Sequence, residues 1–475
     1  MTRTPVWTAL HFHALPLEIF APAAPDEARV VSSGGTRPRV VAANAGARAL
    51  GVEQGMAVAA ALALAPGLGS RLRDEAAETA TLARLAAWAQ QFTPAVSLSP
   101  QATLLLEIGG CLRLFGGLGK LLARLKRGLD ELGFSAQFAG APTPRAAELL
   151  AWSGQEIFVS KLTTLPALLR PIDLDWLSLQ AVARKALHDA GIDDFGGCLA
   201  LPRDGLARRF GQGLLDDLDR ALGRLPDPRA EFVAPAAYAG RLELAAPVGE
   251  AEALVFAARR LLAEMGGWLA ARGLGVRQFE LRLGHHGSAL TPCSFRLSAS
   301  TRDVESLLRI VRERLARQPL PERVEWLGLL SLESAAYVPR EAALWGGEAV
   351  APEAGAALLD RLRARLGDEA VLTLRTAADH RPERASLADR GYPGGARQTP
   401  LLPEAPRPLW LVAEPQACEL TDCTWLDGPE RLESGWWDGD DARRDYFVVR
   451  TGRGETWWVY RELGREGWFR AGVYA

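Results

Sequence analysis

Residues 275–300, GVRQFELRLGHHGSALTPCSFRLSAS, decide the fold class of this chain. Two apolar runs flank a His-His-Gly turn, the pattern of two paired strands. A strand at 241–245 and a long helix at 249–272 precede this hairpin. A second helix at 303–317 and a last strand at 323–332 follow it. The order β-α-β-β-α-β predicts a split βαβ unit.

The polar face of this unit is a candidate surface for DNA. Glu280 and Arg282 alternate with apolar neighbours, so both side chains are expected on one face of their strand. Arg296 on the paired strand would extend that face as a cationic surface. We therefore take Arg277, Arg282 and Arg296 as candidate DNA contacts, with an ordinary solvated sheet face as the alternative.

The first 165 residues alternate between strands and helices, which predicts a sheet covered by helices. The strands fall at 5–12, 28–32, 40–43, 103–108 and 135–139, and the helices at 57–64, 75–90, 121–132 and 144–152.

Residues 165–225 predict short helices joined by glycine-marked turns. AGIDDFGG, at 190–197, lies between two helical runs. Such a turn can aim backbone N–H groups at a phosphate, so Gly191, Gly196 and Gly197 are candidate DNA contacts. A plain helix–helix connection would give the same pattern.

Composition bounds the class of protein. A chain of 475 residues holds about three domains at roughly 150 residues each. Its net charge of −2 argues against a simple polybasic nucleic-acid binder, although local basic surfaces remain open. The apolar stretch at 56–65 is too short to span a bilayer, so no membrane association is expected. Five scattered cysteines indicate neither a disulfide framework nor a zinc finger, which favours the cytoplasm.

The C-terminal part combines a proline-rich stretch with a tryptophan-rich segment. Residues 382–408 predict an extended linker, and 410–475 hold seven of the fourteen tryptophans. Runs such as DYFVVRT and TWWVYRE predict strands of a small antiparallel module. Its aromatic residues could stack on nucleic acid or contact a protein, and ten acids against eight arginines in the last fifty residues favour protein. The partner-binding candidates are Trp436, Trp437, Trp457, Trp458 and Trp468.

Four blocks resemble, by their sequences and by their order along the chain, the Y-family translesion DNA polymerases. ALHFHALPLEIF (9–20) sits where that family has its first acidic strand, and SPQATLLLEIGGCLRLFGG (99–117) resembles its second acidic motif. VVAANAGARALGVEQGMAVAAALALAPGL (40–68) resembles the fingers segment, and GIDDFGGCLALPRDGLARRFG (191–211) resembles the thumb hairpin. The resemblance covers roughly residues 5–345.

The positions of the catalytic acids depart from the family. Nucleotidyl transfer needs two divalent ions held by carboxylates, and Mg²⁺ prefers oxygen ligands. The family's first Asp corresponds to His11, and its adjacent Asp-Glu pair to Gln101 and Ala102. His13 replaces a further acidic position. The resemblance therefore implies a polymerase-like protein without catalytic residues, metal or cofactor.

Other positions of the family's site have also changed. Glu107 lies five residues past Ala102, roughly 16 Å along a strand, and Glu18 lies on the following segment, so neither is expected to rebuild the site. Arg48 keeps the family's triphosphate-binding arginine, but Ala45 replaces the tyrosine before it. Pro16 stands at the position of the aromatic steric gate.

The pair His11 and His13 admits one other interpretation. With Cys111 it could form a zinc site, but zinc needs three or four converging ligands, and no further His or Cys is evident in this part of the chain. Neutral side chains in former catalytic positions are the favoured interpretation.

The resemblance implies a division of the chain and a fold class. The fold class is α/β and α+β multidomain, with a Y-family polymerase-like palm, fingers and thumb, a split βαβ little finger and a small β-rich C-terminal module. The parts are a palm (1–164) with inserted fingers (about 22–75), a helical thumb with a helix-hairpin-helix-like turn (165–235), the little finger (236–339), a segment with a clamp-peptide candidate, a helix, a strand and the Pro-rich linker (340–408), and a Trp-rich interaction module (409–475).

A polymerase-shaped chain without its acids, but with a Trp-rich extension, is similar to the non-catalytic Y-family homologues of the bacterial SOS mutagenesis cassette. That similarity implies an adaptor for translesion synthesis, whose partners are the sliding clamp, an error-prone C-family DNA polymerase, a RecA-like cassette protein and primer-template DNA. Two alternatives are an active low-fidelity Y-family polymerase and a lesion-binding DNA-repair module.

Two segments are candidates for clamp binding, which uses short extended peptides with a Gln followed by bulky apolar residues. REAALWGG offers Glu341, Leu344 and Trp345 just beyond the little finger, with Glu in place of Gln. The second choice, RQTPLLP, offers Gln398, Leu401 and Leu402 in the Pro-rich linker.

Overall fold

The structure is a computed structural model, and it describes residues 6–20, 27–287, 289–337, 352–389 and 407–474. The chain divides into two compact units, Met1–Arg365 and Leu366–Ala475. Across the described ranges, no helix is both long and apolar enough to cross a membrane.

The first unit begins with a four-stranded antiparallel sheet, called the N-terminal sheet below. Its strands stand in the order Val96–Ser99, Thr103–Glu107, Trp7–His11 and Gln137–Ala141. Its helices are Leu15–Glu18, Glu75–Ala89, Leu112–Phe115, Leu118–Leu132 and Pro144–Trp152. The predicted alternation of strands and helices is confirmed. Because His11 lies opposite Thr103, the loop at 100–102 meets the end of the central strand.

Two of these helices show why the sequence folds this way locally. Asp74 caps helix Glu75–Ala89, because its Oδ1 accepts a hydrogen bond from the Ala77 N–H at 2.9 Å. Helix Leu118–Leu132 ends at Gly133, whose φ of 72° is a left-handed conformation that favours glycine. One stripe of this helix is buried against the sheet and consists of Leu121, Leu125, Leu129 and Leu132.

A smaller sheet is inserted between the first strand and helix Glu75–Ala89. Its strands stand in the order Val40–Ala43, Arg29–Ser32 and Gly69–Leu72, and its helices are Ala45–Ala49 and Val58–Leu64. Asn44 connects strand Arg29–Ser32 to helix Ala45–Ala49. Its Oδ1 accepts hydrogen bonds from the backbone N–H groups of Ala47 and Arg29, both at 2.9 Å. The insertion has an apolar core of its own.

A segment of short helices follows the N-terminal sheet. Its helices are Leu165–Leu169, Ala181–His188, Phe195–Ala200, Arg203–Phe210 and Gln212–Ala221, with 3₁₀ turns at Leu162–Thr164 and Leu174–Trp176. These helices share one apolar core with helix Pro144–Trp152.

The split βαβ unit is present with the predicted order of elements. It comprises strand Ala239–Val248, helix Ala251–Ala271, strands Leu274–Gly284 and Leu290–Thr301, helix Val304–Arg317 and strand Val324–Ala336. The four strands form one antiparallel sheet, in which the first and last strands pair and the hairpin completes the other side. Phe279 and Phe295 stack in its core, with ring centroids 4.5 Å apart.

Helix Ala251–Ala271 also packs against helix Glu75–Ala89 of the N-terminal sheet. Gly267 permits the close approach, because a Cβ there would overlap the Trp88 indole. The contact therefore requires glycine at this point of the long helix.

A buried charged cluster lies at the same contact. The Glu264 side chain is 1% exposed, and its Oε2 accepts hydrogen bonds from Arg84 Nε at 2.8 Å and from the Tyr238 hydroxyl at 3.1 Å. Arg260 Nη2 donates to the Glu18 carbonyl at 2.5 Å, and its guanidinium lies 3.9 Å from the Phe134 ring centroid. Burial lowers the pKa of Arg260 to about 10, although Glu264 opposes that shift. These contacts connect the split βαβ unit to the first 135 residues.

Helix Pro352–Leu366 runs to the boundary of the second unit, and its Asp360 carboxylate accepts hydrogen bonds from the Ser298 backbone N–H and hydroxyl. The second unit contains a hairpin, Thr373–Thr376 with Ser386–Asp389, and a five-stranded antiparallel sheet called the C-terminal sheet. The strands of this sheet, in spatial order, are Trp410–Cys418, Trp468–Val473, Thr456–Glu462, Ala442–Thr451 and Cys423–Ser434. The predicted antiparallel module is confirmed.

One linker prediction is wrong in part. Residues 382–408 were expected to be extended linker, but Ser386–Asp389 pairs as a strand with Thr373–Thr376, and Arg381 beside it is buried. The proline signal could not reveal this pairing, because its partner strand lies about ten residues earlier.

Candidate functional site

The positions that we expect to correspond to the family's acids meet at one cavity of about 700 Å³ in the first unit. Its lining includes His11, His13, Gln101 and Ala102, together with Pro16. The antiparallel register explains this meeting, because the central strand ends at His11 beside the loop that carries Gln101 and Ala102. The structure thus brings together residues that the sequence places about ninety positions apart.

The His11 ring is hydrogen-bonded to the backbone of the neighbouring loop. Its Nδ1 lies 2.8 Å from the Gln101 carbonyl and 3.2 Å from Thr103 Oγ1. A carbonyl only accepts, so Nδ1 carries a hydrogen. Burial lowers the pKa of His11; the Gln101 hydrogen bond opposes this shift, and the neighbouring His13 adds to it. The ring is therefore a neutral group near pH 7, held in place by hydrogen bonds.

The loop with Gln101 and Ala102 has a strained backbone. Their φ values are 54° and 48°, in the left-handed region that non-glycine residues rarely adopt. The Ala102 carbonyl accepts a hydrogen bond from the Phe12 N–H at 2.9 Å, and Thr103 Oγ1 accepts one from Trp152 Nε1 at 2.8 Å. These hydrogen bonds hold residues 102 and 103 beside the first strand and helix Pro144–Trp152.

Two carboxylates line the cavity, and one arginine pairs with both. Glu78 accepts hydrogen bonds from Arg73 Nε and Nη2, each at 2.8 Å, and Glu75 lies 3.3 Å from Arg73 Nη1. The Glu78 hydrogen bond raises the pKa of Arg73. Within the residues that the structure describes, no three His, Cys, Asp or Glu side chains are grouped to hold a metal. The sequence did not reveal this pairing, which depends on the turn before helix Glu75–Ala89.

The remaining acids of the motifs point elsewhere. Glu107 lies opposite Trp7, at the far end of the strand pair from His11, and its Oε1 accepts hydrogen bonds from the backbone N–H groups of Val6 and Gly109. Glu18 binds Ser135, and burial raises its pKa. Arg48 is exposed on helix Ala45–Ala49 and does not line the cavity. These positions agree with the expectation that Glu18 and Glu107 do not rebuild the site.

A second cavity of about 760 Å³ adjoins the first and shares Gln101, Trp152 and Trp176 with it. Glu148, 1% exposed, lines this cavity and accepts hydrogen bonds from Arg145 Nη1 at 3.1 Å and from Arg229 Nη1 at 2.5 Å. Sequence reasoning missed this network, whose only local signal is the spacing of Arg145 and Glu148 by three residues on a helix.

The glycine-marked hairpin uses its amides internally. The N–H of Gly191 donates to His188 O at 2.9 Å, that of Gly196 to Arg170 O at 3.0 Å, and that of Gly197 to Asp194 Oδ1 at 2.7 Å. The expectation that these N–H groups face a phosphate is therefore wrong for this conformation, since helix Phe195–Ala200 is already capped by a carboxylate. That Gly191, Gly196 and Gly197 contact DNA stays a prediction, but phosphate binding by their backbone N–H groups is no longer its basis.

The sheet face of the split βαβ unit is mixed in charge. Arg282 Nε donates to Glu280 Oε1 at 2.7 Å, and the exposed Arg296 lies opposite Gln278 in the strand register. The register shifts between Val276 and Gln278 in the pairing with both neighbouring strands, so the regular alternation of Gln278, Glu280 and Arg282 does not extend to Arg277. Contact of the three candidate arginines with DNA stays a prediction.

The five tryptophans singled out in the C-terminal module have different environments. Trp458 is 2% exposed and stacks on Tyr446, with centroids 4.2 Å apart, so its assignment as a partner contact is wrong. Trp457 and Trp468 are half-buried, whereas Trp436 is 76% and Trp437 58% exposed. Adjacent residues in a strand face opposite sides, which explains why Trp457 and Trp458 differ.

Both clamp-peptide candidates lie outside the described residues. These are the first choice, Glu341 with Leu344 and Trp345, and the second, Gln398 with Leu401 and Leu402. Both stay predictions.

The succession of the N-terminal sheet with its inserted sheet, the short helices and the split βαβ unit is that of a Y-family polymerase-like protein, here with a β-rich C-terminal addition. The model of the impB/mucB/samB family matches residues 14–151. Protein ImuB of Caulobacter vibrioides strain NA1000 / CB15N is 31% identical over 447 residues, covering 87% of this chain and 96% of that protein, and Protein ImuB of strain ATCC 19089 / CIP 103742 / CB 15 matches equally. The chain belongs to the ImuB family.

Solved structures of Y-family type are also similar to this chain. DinB from Sulfolobus solfataricus is 17% identical, with a TM-score of 0.39 over 70% of this chain and 100% of that one. The insertion ternary complex of Dbh DNA polymerase is 17% identical, with a TM-score of 0.40 over 69% of this chain and 97% of that one.

Proposed function

We propose that this chain is a non-catalytic adaptor in SOS-induced translesion synthesis and mutagenesis. It uses the polymerase-like body to bind primer-template DNA. It brings together the sliding clamp, an error-prone C-family DNA polymerase and a RecA-like cassette protein of the ImuA type, and it acts in the cytoplasm. Membership of the ImuB family supports this role.

The observation that carries the non-catalytic part is the composition of the 700 Å³ cavity. Two-metal transfer requires carboxylates that converge on the ions and offset the charge of the triphosphate. His11, Gln101 and Ala102, which the motif resemblance aligns with those carboxylates, line this cavity, and the His11 ring is hydrogen-bonded to a carbonyl.

The two acids that do line the cavity cannot substitute readily. Glu75 and Glu78 are both paired with Arg73, whose pKa is raised by its hydrogen bonds to Glu78. A divalent ion would have to displace a guanidinium that already makes two hydrogen bonds to one carboxylate. This pairing favours an adaptor over the alternative of an active low-fidelity polymerase.

A binding experiment with truncations tests the adaptor role. The full chain is expected to retain the purified clamp, C-family polymerase and RecA-like protein, and a chain ending at Gly347 is expected to lose partners that need the C-terminal module. Damage-induced mutagenesis should fall to the level of a null strain with the truncated chain. Mutagenesis that persists would refute recruitment through the C-terminal part and favour a lesion-binding module.

A further inference from the structure

Two neighbouring tryptophans project from one turn of the C-terminal unit. The turn at residues 435–441, called the Trp turn below, connects strands Cys423–Ser434 and Ala442–Thr451. Trp436 is 76% and Trp437 58% exposed, and their rings meet edge to face with centroids 5.6 Å apart. Exposed indoles at one point of a surface are typical of binding hot spots.

A buried arginine fixes the Trp turn to the neighbouring hairpin. The Arg381 side chain is 1% exposed, and its Nη2 donates to Asp379 Oδ2 at 2.7 Å and to Asp438 Oδ2 at 2.6 Å. Its Nη1 donates to the Asp440 carbonyl at 2.9 Å. These hydrogen bonds hold the pKa of Asp379 at about 2, so the carboxylate is ionised throughout the physiological range.

The turn's backbone leaves little freedom around Arg381. Gly435 has a φ of 91°, and a Cβ there would overlap the Asp440 carbonyl and the Arg381 guanidinium. Gly439 has a φ of 80°, again in the left-handed region. A turn fixed in this way presents its side chains at a low entropic cost of binding.

The charge around the indoles selects the class of partner. The turn and its ion-pair partners contain four acids and three arginines, which leaves a net charge of −1; the acids are Asp379, Asp438, Asp440 and Asp441, and the arginines are Arg381, Arg384 and Arg443. A phosphate backbone would be repelled there, so stacking on nucleic acid is disfavoured. A basic protein surface would be attracted.

We propose that the Trp turn is a preformed plug, which inserts Trp436 and Trp437 into an apolar pocket of a protein partner whose rim carries Lys or Arg side chains. This inference rests on the adaptor function, because it assigns one surface of the C-terminal unit to a protein partner. Arg381 is the positioning residue of this surface, and the indoles make the contact.

A binding experiment with a matched control tests the contact. The probes are the purified RecA-like protein, the purified C-family polymerase and a labelled primer-template, each titrated against the full chain. Trp436→Ala with Trp437→Ala is expected to weaken one of the two proteins at least tenfold and to leave DNA binding unchanged. The control, Trp410→Ala with Trp425→Ala, removes indoles that are 69% and 50% exposed on the same sheet, and it should change affinity less than threefold.

The outcomes separate this inference from the adaptor function. If the wild-type chain binds neither protein, the adaptor function fails. If it binds and the Trp436 and Trp437 variant binds equally well, the plug is wrong while the adaptor function stands. Loss of DNA binding, or a change of oligomeric state alone, would also overturn the proposed partner class.

A measurement without any partner tests the fixed conformation. Amides of residues 435–441 should be protected from hydrogen exchange in the full chain and should lose that protection in Arg381→Leu. Asp438→Asn is a milder variant that keeps the shape of the side chain and is expected to give a partial loss. Exchange of the wild-type turn at the rate of an open chain would refute the preformed plug whatever the partners do.

Discussion

Replacing Glu264 by glutamine tests whether the buried charged cluster holds the split βαβ unit against the N-terminal part. Glu264 is the carboxylate between two cations, since its oxygens lie 2.8 Å from Arg84 Nε and 3.9 Å from Arg260 Nε. Glutamine keeps the shape but removes the charge, which leaves two guanidinium groups with little access to solvent.

The expected loss can be worked from these contacts. Unit charges about 4 Å apart interact by about 4 kcal/mol at an effective dielectric constant near 20. Breaking a buried pair by removing one partner typically costs about 3–5 kcal/mol. A unit of this size has an unfolding entropy on the order of 0.7 kcal/mol/K, so the melting midpoint should fall by about 4–7 °C.

The assay is thermal unfolding of the full chain, followed by circular dichroism. Glu305→Gln is the matched control, because the Arg259–Glu305 pair lies exposed on neighbouring helices, where such pairs contribute about 0–1 kcal/mol. Hydrogen exchange in helix Ala251–Ala271 should rise with Glu264→Gln alone. A shift below about 1 °C, equal to that of the control, would refute the role of the cluster.

Three further predictions concern other parts of the chain. The double substitution Leu344→Ala and Trp345→Ala should weaken clamp binding without unfolding the protein. An unchanged affinity for the clamp would rule out this segment and favour the second clamp candidate, Gln398–Leu402. In denaturant titrations, Trp458→Ala should destabilise the C-terminal unit by about 3–5 kcal/mol, because this indole is buried. Trp436→Ala should change the stability of the unit by less than about 0.5 kcal/mol, because this indole is exposed. Equal effects of the two substitutions would contradict the different burial of the two indoles. The His11 ring should titrate below pH 6.5 by NMR, because burial lowers its pKa. The free energy of unfolding that depends on the neutral ring is then fully present above pH 6.5 and decreases as the pH falls. A measured pKa above 6.5 would contradict the buried neutral ring.

The sequence predicted those features that local patterns determine. The split βαβ order followed from strand and helix periodicity, and the structure has the same six elements in that order. The meeting of His11 with Gln101 and Ala102 was implied only by the resemblance to the family, and the structure explains it by the antiparallel pairing of strands Trp7–His11 and Thr103–Glu107.

Contacts that depend on the geometry of a turn or on distant partners were out of reach of the sequence. The pairing of Arg73 with Glu78 depends on how the turn before a helix folds back, and the burial of Arg381 depends on acids almost sixty residues later. The exposure of the tryptophans was out of reach for a similar reason. TWWVYRE and GWWDGDD each contain two adjacent tryptophans, but the first pair lies on a strand, which buries Trp458, and the second pair lies on a turn, which exposes both indoles.

The central claim is that the cleft does not catalyse nucleotidyl transfer, and a primer-extension assay tests it most directly. The purified chain is incubated with primer-template DNA, the four deoxynucleotides and either Mg²⁺ or Mn²⁺, beside a reaction without protein. We expect no template-dependent extension above the protein-free reaction, because His11, Gln101 and Ala102 offer no carboxylate to the two metal ions. Extension by the wild-type chain that disappears in His11→Ala or Gln101→Ala would contradict the claim.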